Sequence, residues 1–240
     1  KIEKIVDTEI YKFTNSFETR YTKEVNNPEG VINSKINNCF VAERGKEFMF
    51  YSAFVRSFDS SFGKVLETIG NKIAELSYEV RKDVKSFLLP QQSQHMDYII
   101  LEYEKHRKPK TTDYSEFFCM EPEDTRSFEK EHVTDHYFYN AEKNEHYLIE
   151  LKASGDLDNK KAKSEKLAML QEYFILKNSL IDKPNDKIRI FLGTAYNKYG
   201  EDSEWKQERV KQFFSEDELL IGKDYWNFVC NDTEGFDVVF

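Results

Sequence analysis

Asp135, Glu150 and Lys152 are the residues of this chain whose types and spacing can do chemistry together. In Leu148-Ile149-Glu150-Leu151-Lys152-Ala153, a strand turns Glu150 and Lys152 to one face and Ile149 and Leu151 to the other, because successive side chains alternate. Asp135 lies in an earlier stretch, 128–140, rich in aromatic and β-compatible residues, and Ala141-Glu142-Lys143-Asn144-Glu145 between them reads as a polar turn. The resulting hairpin brings Asp135 beside Glu150 and Lys152. Two close carboxylates repel each other and suit a hard divalent cation, which takes oxygen ligands. An ammonium group beside them can hold an attacking water or offset charge building on phosphorus. Phosphodiester hydrolysis uses all three groups. The plainer reading of the same spacing is a same-face Glu–Lys ion pair on an exposed strand edge, in a chain of which 33% is charged. Against it, Ile-Glu-Leu-Lys-Ala embeds both charges in an apolar strand, where ionisable groups are costly without partners or a task.

The elements that must position these residues follow from the hydrophobic pattern. Ile2, Ile5, Val6, Ile10, Phe13 and Phe17 recur mostly at helical steps. A second helix is expected after Asp59-Ser60-Ser61, with Phe62, Val65, Leu66, Ile69, Ile73 and Leu76 on its apolar stripe. Tyr98–Leu101 has the length of a strand. Past the hairpin, Ser154-Gly155 breaks the strand and 156–178 returns to helical spacing. A short apolar strand, 187–194, follows the breaker Pro184-Asn185-Asp186, and helices are expected near 204–214 and 223–230. This order predicts an α/β fold, a mixed sheet flanked by helices, with a helical N-terminal lobe over 1–90 and a core over 91–240 in one continuous domain.

Composition bounds the rest. Of 240 residues, 39% are hydrophobic and 15% aromatic, with 20 Phe and 14 Tyr, enough to bury a core. Only 9 Gly and 5 Pro argue against linker-rich or repeat architectures. The net charge of −9 counts against a non-specific polyanion binder, and a nuclease needs only a locally basic cleft. Cys39, Cys119 and Cys230 form no CxxC pair and fit reduced thiols. No apolar run reaches the roughly 18 residues of a membrane span. The start at Lys1 has neither an initiating Met nor a signal peptide's apolar stretch, so missing N-terminal residues and a cytoplasmic protein are the expectation.

Several residues support the DNA reading while also having ordinary explanations. Lys160, Lys161, Lys163 and Lys166 open the helix after the reactive strand, where they grip phosphates or form a solvated face. Tyr196, Asn197 and Lys198 follow the last strand; Asn and Lys suit base edges, yet such turns are common. His136 reads as a half-buried strand residue more readily than a phosphate contact. Asp156 and Asp158 read as helix caps. Gln171 and Tyr173 have core and surface helix roles, and Trp205, Trp226 and Phe228 anchor helices.

The hairpin segment resembles the PD-(D/E)xK nuclease superfamily, with Asp135 as the first acid and Glu150-Leu151-Lys152 as its ExK triplet; Thr134 stands where the pattern has proline. The block from Arg56 to Glu67, Tyr196-Asn197-Lys198-Tyr199-Gly200 with Trp205, and Leu220–Trp226 resemble the signatures of the TdeIII/MjaII group of type II restriction endonucleases. The resemblance implies Mg2+-dependent cleavage of double-stranded DNA at a short palindrome of the GGNCC type, with Mn2+ as a substitute metal and 5′-phosphate products. It implies a homodimer and a cognate DNA methyltransferase. Asp135 and Glu150 are then the metal ligands, with the Leu151 carbonyl and Glu67 as further candidates, and Lys152 positions the water. The N-terminal lobe is assigned to dimerisation or to embracing DNA. The rival readings are a structure-specific or repair nuclease of the same fold and a non-catalytic DNA-binding module.

Overall fold

The computed structural model describes residues 1–107, 114 and 128–240. Cys119 lies outside them. They divide into an N-terminal unit, Lys1–Ile69 with Val239, and a second unit made of Gly70–Val238 with Phe240.

The N-terminal unit is helical. Helix α1 spans Ile2–Val25, a 3-10 turn spans Asn33–Asn37, α2 is the single turn Cys39–Ala42, and α3 runs over Lys46–Ala74. Asp59-Ser60-Ser61 therefore lies inside α3 and caps nothing, because Phe50, Phe54 and Phe58 extend its apolar stripe N-terminally. Phe13, Phe17 and Tyr21 of α1 pack on Phe50, Phe54, Phe58 and Phe62 of α3, with ring centroids 5.0–5.7 Å apart in pairs such as Phe17–Phe54, Tyr21–Phe54 and Phe13–Phe62. Such pairs each contribute about 0.5–1.5 kcal/mol beyond the area they bury.

The second unit is built on a five-stranded sheet in the order β1-β2-β3-β4-β5. Strand β1 is Glu79–Leu88, helix α4 Pro90–Glu104, β2 Phe128–Asn140 and β3 Glu145–Lys152. Helix α5, Asn159–Ser179, crosses to β4, Lys187–Thr194. There follow α6, Glu208–Lys211, β5, Leu219–Ile221, α7, Lys223–Cys230, and α8, Gly235–Val239. The first three strands form an antiparallel meander, and β4 and β5 add in parallel. A mixed sheet flanked by helices is thus observed.

Three further expectations change. The reading of 1–90 as a helical lobe extends too far, because Glu79–Leu88 is sheet strand β1 and the division of units falls after Ile69. The charge-rich sequence Glu-Val-Arg-Lys-Asp-Val-Lys hides the strand, since β1 is an edge strand with only Val84 and Leu88 fully buried. Tyr98–Leu101 is helical, part of α4, whose start is set by Pro90 and by Gln92 closing a capping interaction on the Leu89 nitrogen. The helix expected near 204–214 shrinks to the single turn α6.

Sheet and helices bury the strands on both faces. Leu148 and Leu192 meet Met169, Leu170 and Phe174 of α5 within one core. On the opposite face Tyr147 and Phe191 pack around Phe228 of α7, at 5.0 and 5.3 Å between rings. Gly155 turns the chain sharply out of β3 three residues after Lys152. Its φ is +67°, and a Cβ there would meet Thr194 at 2.6 Å and the Trp205 ring at 3.0 Å. No helix among the described residues is long and apolar enough to cross a membrane.

Candidate active site

Strands β2 and β3 pair regularly from Asn140↔Glu145 up to His136↔Ile149, and there the ladder ends. On its other side β2 departs from register at the same point: Arg81 faces Tyr137, but Asp83 faces Val133, so Thr134, Asp135 and His136 oppose Lys82 alone. This is a β-bulge, which bends a strand and re-aims a side chain. Asp135 sits in it. With the backbone ladder interrupted, the Asp135 carboxylate accepts the Leu151 N–H at 2.9 Å, taking the place of a main-chain partner.

The bulge is clamped from behind. Asn71 of α3 donates its side-chain amide to the Asp135 carbonyl at 3.2 Å, and its Oδ1 lies 2.9 Å from Nδ1 of His136. Nε2 of His136 lies 2.7 Å from the Tyr225 hydroxyl. With Asn71 Oδ1 accepting, Nδ1 carries the proton and Nε2 accepts from Tyr225. Complete burial pushes the imidazole pKa down to about 3, so this ring stays neutral. His136 is therefore a packing residue, fully buried rather than the half-buried strand residue expected. At Gly70 a Cβ would meet the Tyr225 hydroxyl at 2.5 Å, so only glycine leaves room for this clamp.

Glu150 and Lys152 share the sheet face that α5 covers, and their side chains are 20% and 26% exposed, open enough for a ligand to reach them. The Lys152 ammonium lies 2.5 Å from Glu150 and 3.0 Å from Glu165 of α5. Burial alone would pull the lysine down, but Glu150 and Glu165 outweigh it and hold its pKa above the ordinary value. Glu150 is raised to about 7, first by burial and then by repulsion from Asp135, against which Lys152 compensates only in part. Glu172, one helical stretch further along α5, is almost wholly buried at 4% exposure, accepts from Thr134 and is raised to about 8 by burial and by Glu150. His132 lies 3.8 Å from it.

The structure thus brings Asp135, Glu150 and Lys152 together and adds Glu165, Glu172 and Thr134 to their surroundings. The two added acids have a sequence signature. They are seven residues apart on α5, hence on one face two turns apart.

Other candidates fall elsewhere. Lys160 and Lys161 are exposed at the start of α5, whose cap is Asp158, accepting from the Lys161 nitrogen at 2.8 Å. Asp156 is no cap and instead pairs with Lys198 at 2.8 Å. Lys163 pairs with Glu104 at 2.7 Å. Lys166 is excluded as a DNA contact: it is fully buried, 2.5 Å from Glu218 and 3.0 Å from the Tyr114 hydroxyl, because 166 points into the sheet-facing side of α5 rather than along its solvent face. Tyr196 is exposed. Asn197 is not available to read bases, since its amide donates to the Ser203 carbonyl at 2.7 Å and its Oδ1 accepts from the Tyr199 nitrogen at 3.0 Å, closing the turn. Glu67 lies half-buried on α3 within the N-terminal unit. Tyr173, Trp205 and Trp226 are core residues.

Asp135 and Glu150 form a donor set of two hard oxygen ligands whose mutual repulsion a divalent cation would relieve. Among the described residues no group of three or more His, Cys, Asp and Glu side chains is arranged to hold a metal ion. An ion here would complete its shell from main-chain oxygen and water.

A family model described as "Type II restriction endonuclease, HinfI" matches residues 1–240. No curated protein matches the chain, and no solved structure does.

Proposed function

The chain belongs to the HinfI family of type II restriction endonucleases, and on that premise we propose that Asp135, Glu150 and Lys152 are the centre at which this site-specific deoxyribonuclease cuts DNA. The observation that carries the assignment is the tie between the Asp135 carboxylate and the Leu151 nitrogen, which sets one acid beside the ExK triplet of the next strand.

Asp135 and Glu150 would hold Mg2+, or Mn2+ in its place, with the Leu151 carbonyl as a further oxygen. Bound there, the ion supplies Lewis-acid polarisation of the scissile phosphate and acidifies water. Lys152 stays protonated between Glu150 and Glu165 and so acts as a donor, orienting the attacking water and stabilising negative charge on phosphorus. Thr134, donating to the His136 carbonyl, and Asn71, donating to the Asp135 carbonyl, hold the bulge backbone in place. Lys160 and Lys161, exposed at the start of α5, are proposed phosphate contacts. The products carry 5′-phosphates.

A palindromic target implies a homodimer with one strand cut at each site. Within this reading the N-terminal lobe serves dimerisation or the DNA embrace, and a cognate methyltransferase protects host DNA. The GGNCC-type target rests on the TdeIII/MjaII resemblance, whereas the matched model carries the HinfI description, so the target is to be read from the products. A DNA substrate and free Cys39 and Cys230 suit the cytoplasm.

The test is phage DNA incubated with the protein and Mg2+, followed by sequencing of the fragment ends. Discrete fragments ending at one short palindrome are expected. A smear rejects site specificity, and the absence of cleavage with any divalent metal rejects the centre as assigned.

A further inference from the structure

The chain has a net charge of −9, yet a groove of about 420 Å³ in its N-terminal unit is lined by Arg20, Lys35, Arg56 and Lys64 and by no acidic side chain. Arg20 comes from α1, Lys35 from the 3-10 turn that follows, and Arg56 and Lys64 from α3. Ser57, Ser60 and Ser61 fill the floor between the two α3 cations. Along α3, positions 56, 57, 60, 61 and 64 share one face, while Phe54, Phe58, Phe62 and Val65 take the other and pack on the α1 aromatics. The Arg56–Glu67 block is thus two-sided. One side builds the unit, and the other has no structural task.

Like charges crowded on one surface repel, and a cluster of this kind is ordinarily neutralised by interleaved carboxylates. Here none of the four cations has an ion-pair partner among the described residues. Arginine forks and lysine ammoniums alternating with hydroxyl donors match phosphodiester oxygens, which accept several hydrogen bonds and carry charge at regular spacing. The groove is open to solvent, and four cations and three serines outnumber Val31 and Ala53 in its lining, so it suits a polymeric anion better than an apolar ligand.

We infer that this groove is a clamp for the sugar–phosphate backbone of duplex DNA, holding the substrate without reading its sequence. The inference rests on the chain being a DNA-cutting enzyme.

The experiment measures binding of the full-length protein to a fluorescent 30-base-pair duplex in EDTA across a sodium chloride series, for the wild type, Arg56→Gln/Lys64→Gln and Arg20→Gln/Lys35→Gln. Each lost phosphate contact lowers the slope of log affinity against log salt by about 0.9, so each double variant is expected to lose about 2 from the slope and roughly tenfold in affinity at low salt. The loss is the same on duplexes of unrelated sequence. Lys183→Gln/Lys187→Gln, at the turn end of the sheet away from Lys152, removes the same charge and should leave the slope near that of the wild type. Unchanged slopes in both groove variants overturn the inference, as does an equal loss in the control or a loss confined to one sequence. Because the readout is binding, a wild type that binds with this slope but never cuts refutes the cleavage centre and leaves the clamp standing.

Discussion

The carboxylate of Asp135 accepts a hydrogen bond from the main-chain nitrogen of Leu151, 2.9 Å away, so the acid of one strand is tied to the residue between Glu150 and Lys152 on the next. A side chain does here what a ladder carbonyl does elsewhere in the sheet. Replacing the carboxylate by an amide keeps an acceptor oxygen for Leu151 and removes the charge. Asp135→Asn is therefore expected to fold like the wild type and to lose at least a hundredfold in cleavage, read by plasmid nicking alongside circular dichroism. Loss of folded signal would show that the carboxylate is structural first.

Glu165 holds Lys152 from α5 at 3.0 Å, opposite Glu150. Glu165→Gln leaves the ammonium with one carboxylate. The turnover rate should fall roughly tenfold with little change in KM, as expected when an interaction used in the transition state is weakened. The alkaline limb of the pH profile should move to lower pH, because the carboxylates are what raise Lys152. Glu165→Asp should restore part of the rate. Equal loss in both variants with an unmoved profile would reduce Glu165 to a packing role.

Stability of the metal-free protein should depend on pH with opposite signs in two windows. His136, depressed to about 3 by burial, is neutral when folded and protonated when unfolded below about 6.5, so it makes stability rise with pH up to that point. Glu150 and Glu172, raised to about 7 and about 8, bind protons in the folded chain that the unfolded chain has released, so they make stability fall as pH rises from about 4.5 to 8. Above about 6.5 only the acids act. Melting in EDTA should therefore weaken between pH 6.5 and 8. Glu172→Gln should flatten that decline, and millimolar Mg2+ or Mn2+ should offset it with release of protons. A flat or rising melting temperature over that interval would contradict the buried acids.

Lys166 and Glu218 form a pair that is 0% and 2% exposed, joined by the Tyr114 hydroxyl. Lys166→Met leaves Glu218 buried without its cation and should cost about 3–5 kcal/mol in denaturant unfolding. Lys166→Met/Glu218→Gln should recover much of it. The salt dependence of DNA binding should not change in either, since neither side chain reaches solvent. A reduced salt slope would return Lys166 to the DNA interface.

The strand read over 146–153 was legible, one residue off the observed Glu145–Lys152, because alternation and the flanking turn act within a few residues, and the same local rule put Glu150 and Lys152 on one face. The helix after it and the strand at 187–194 were legible for the same reason. Strand β1 was not, since an edge strand facing water carries the charges of a loop and is defined only by its partner β2. The fate of charged helix residues was equally hidden. Lys160, Lys163 and Lys166 recur at steps of three on α5, yet 160 meets solvent, 163 meets Glu104 and 166 enters the core against Glu218. Local pattern, then, determined which residues alternate, which segments coil and which acids and amines stand near each other along the chain. Tertiary structure alone decided the bulge that aims Asp135, the recruitment of Glu165 and Glu172, and the burial of Lys166, because each depends on which distant segment supplies the opposing surface, and a sequence read in short windows carries no term for that.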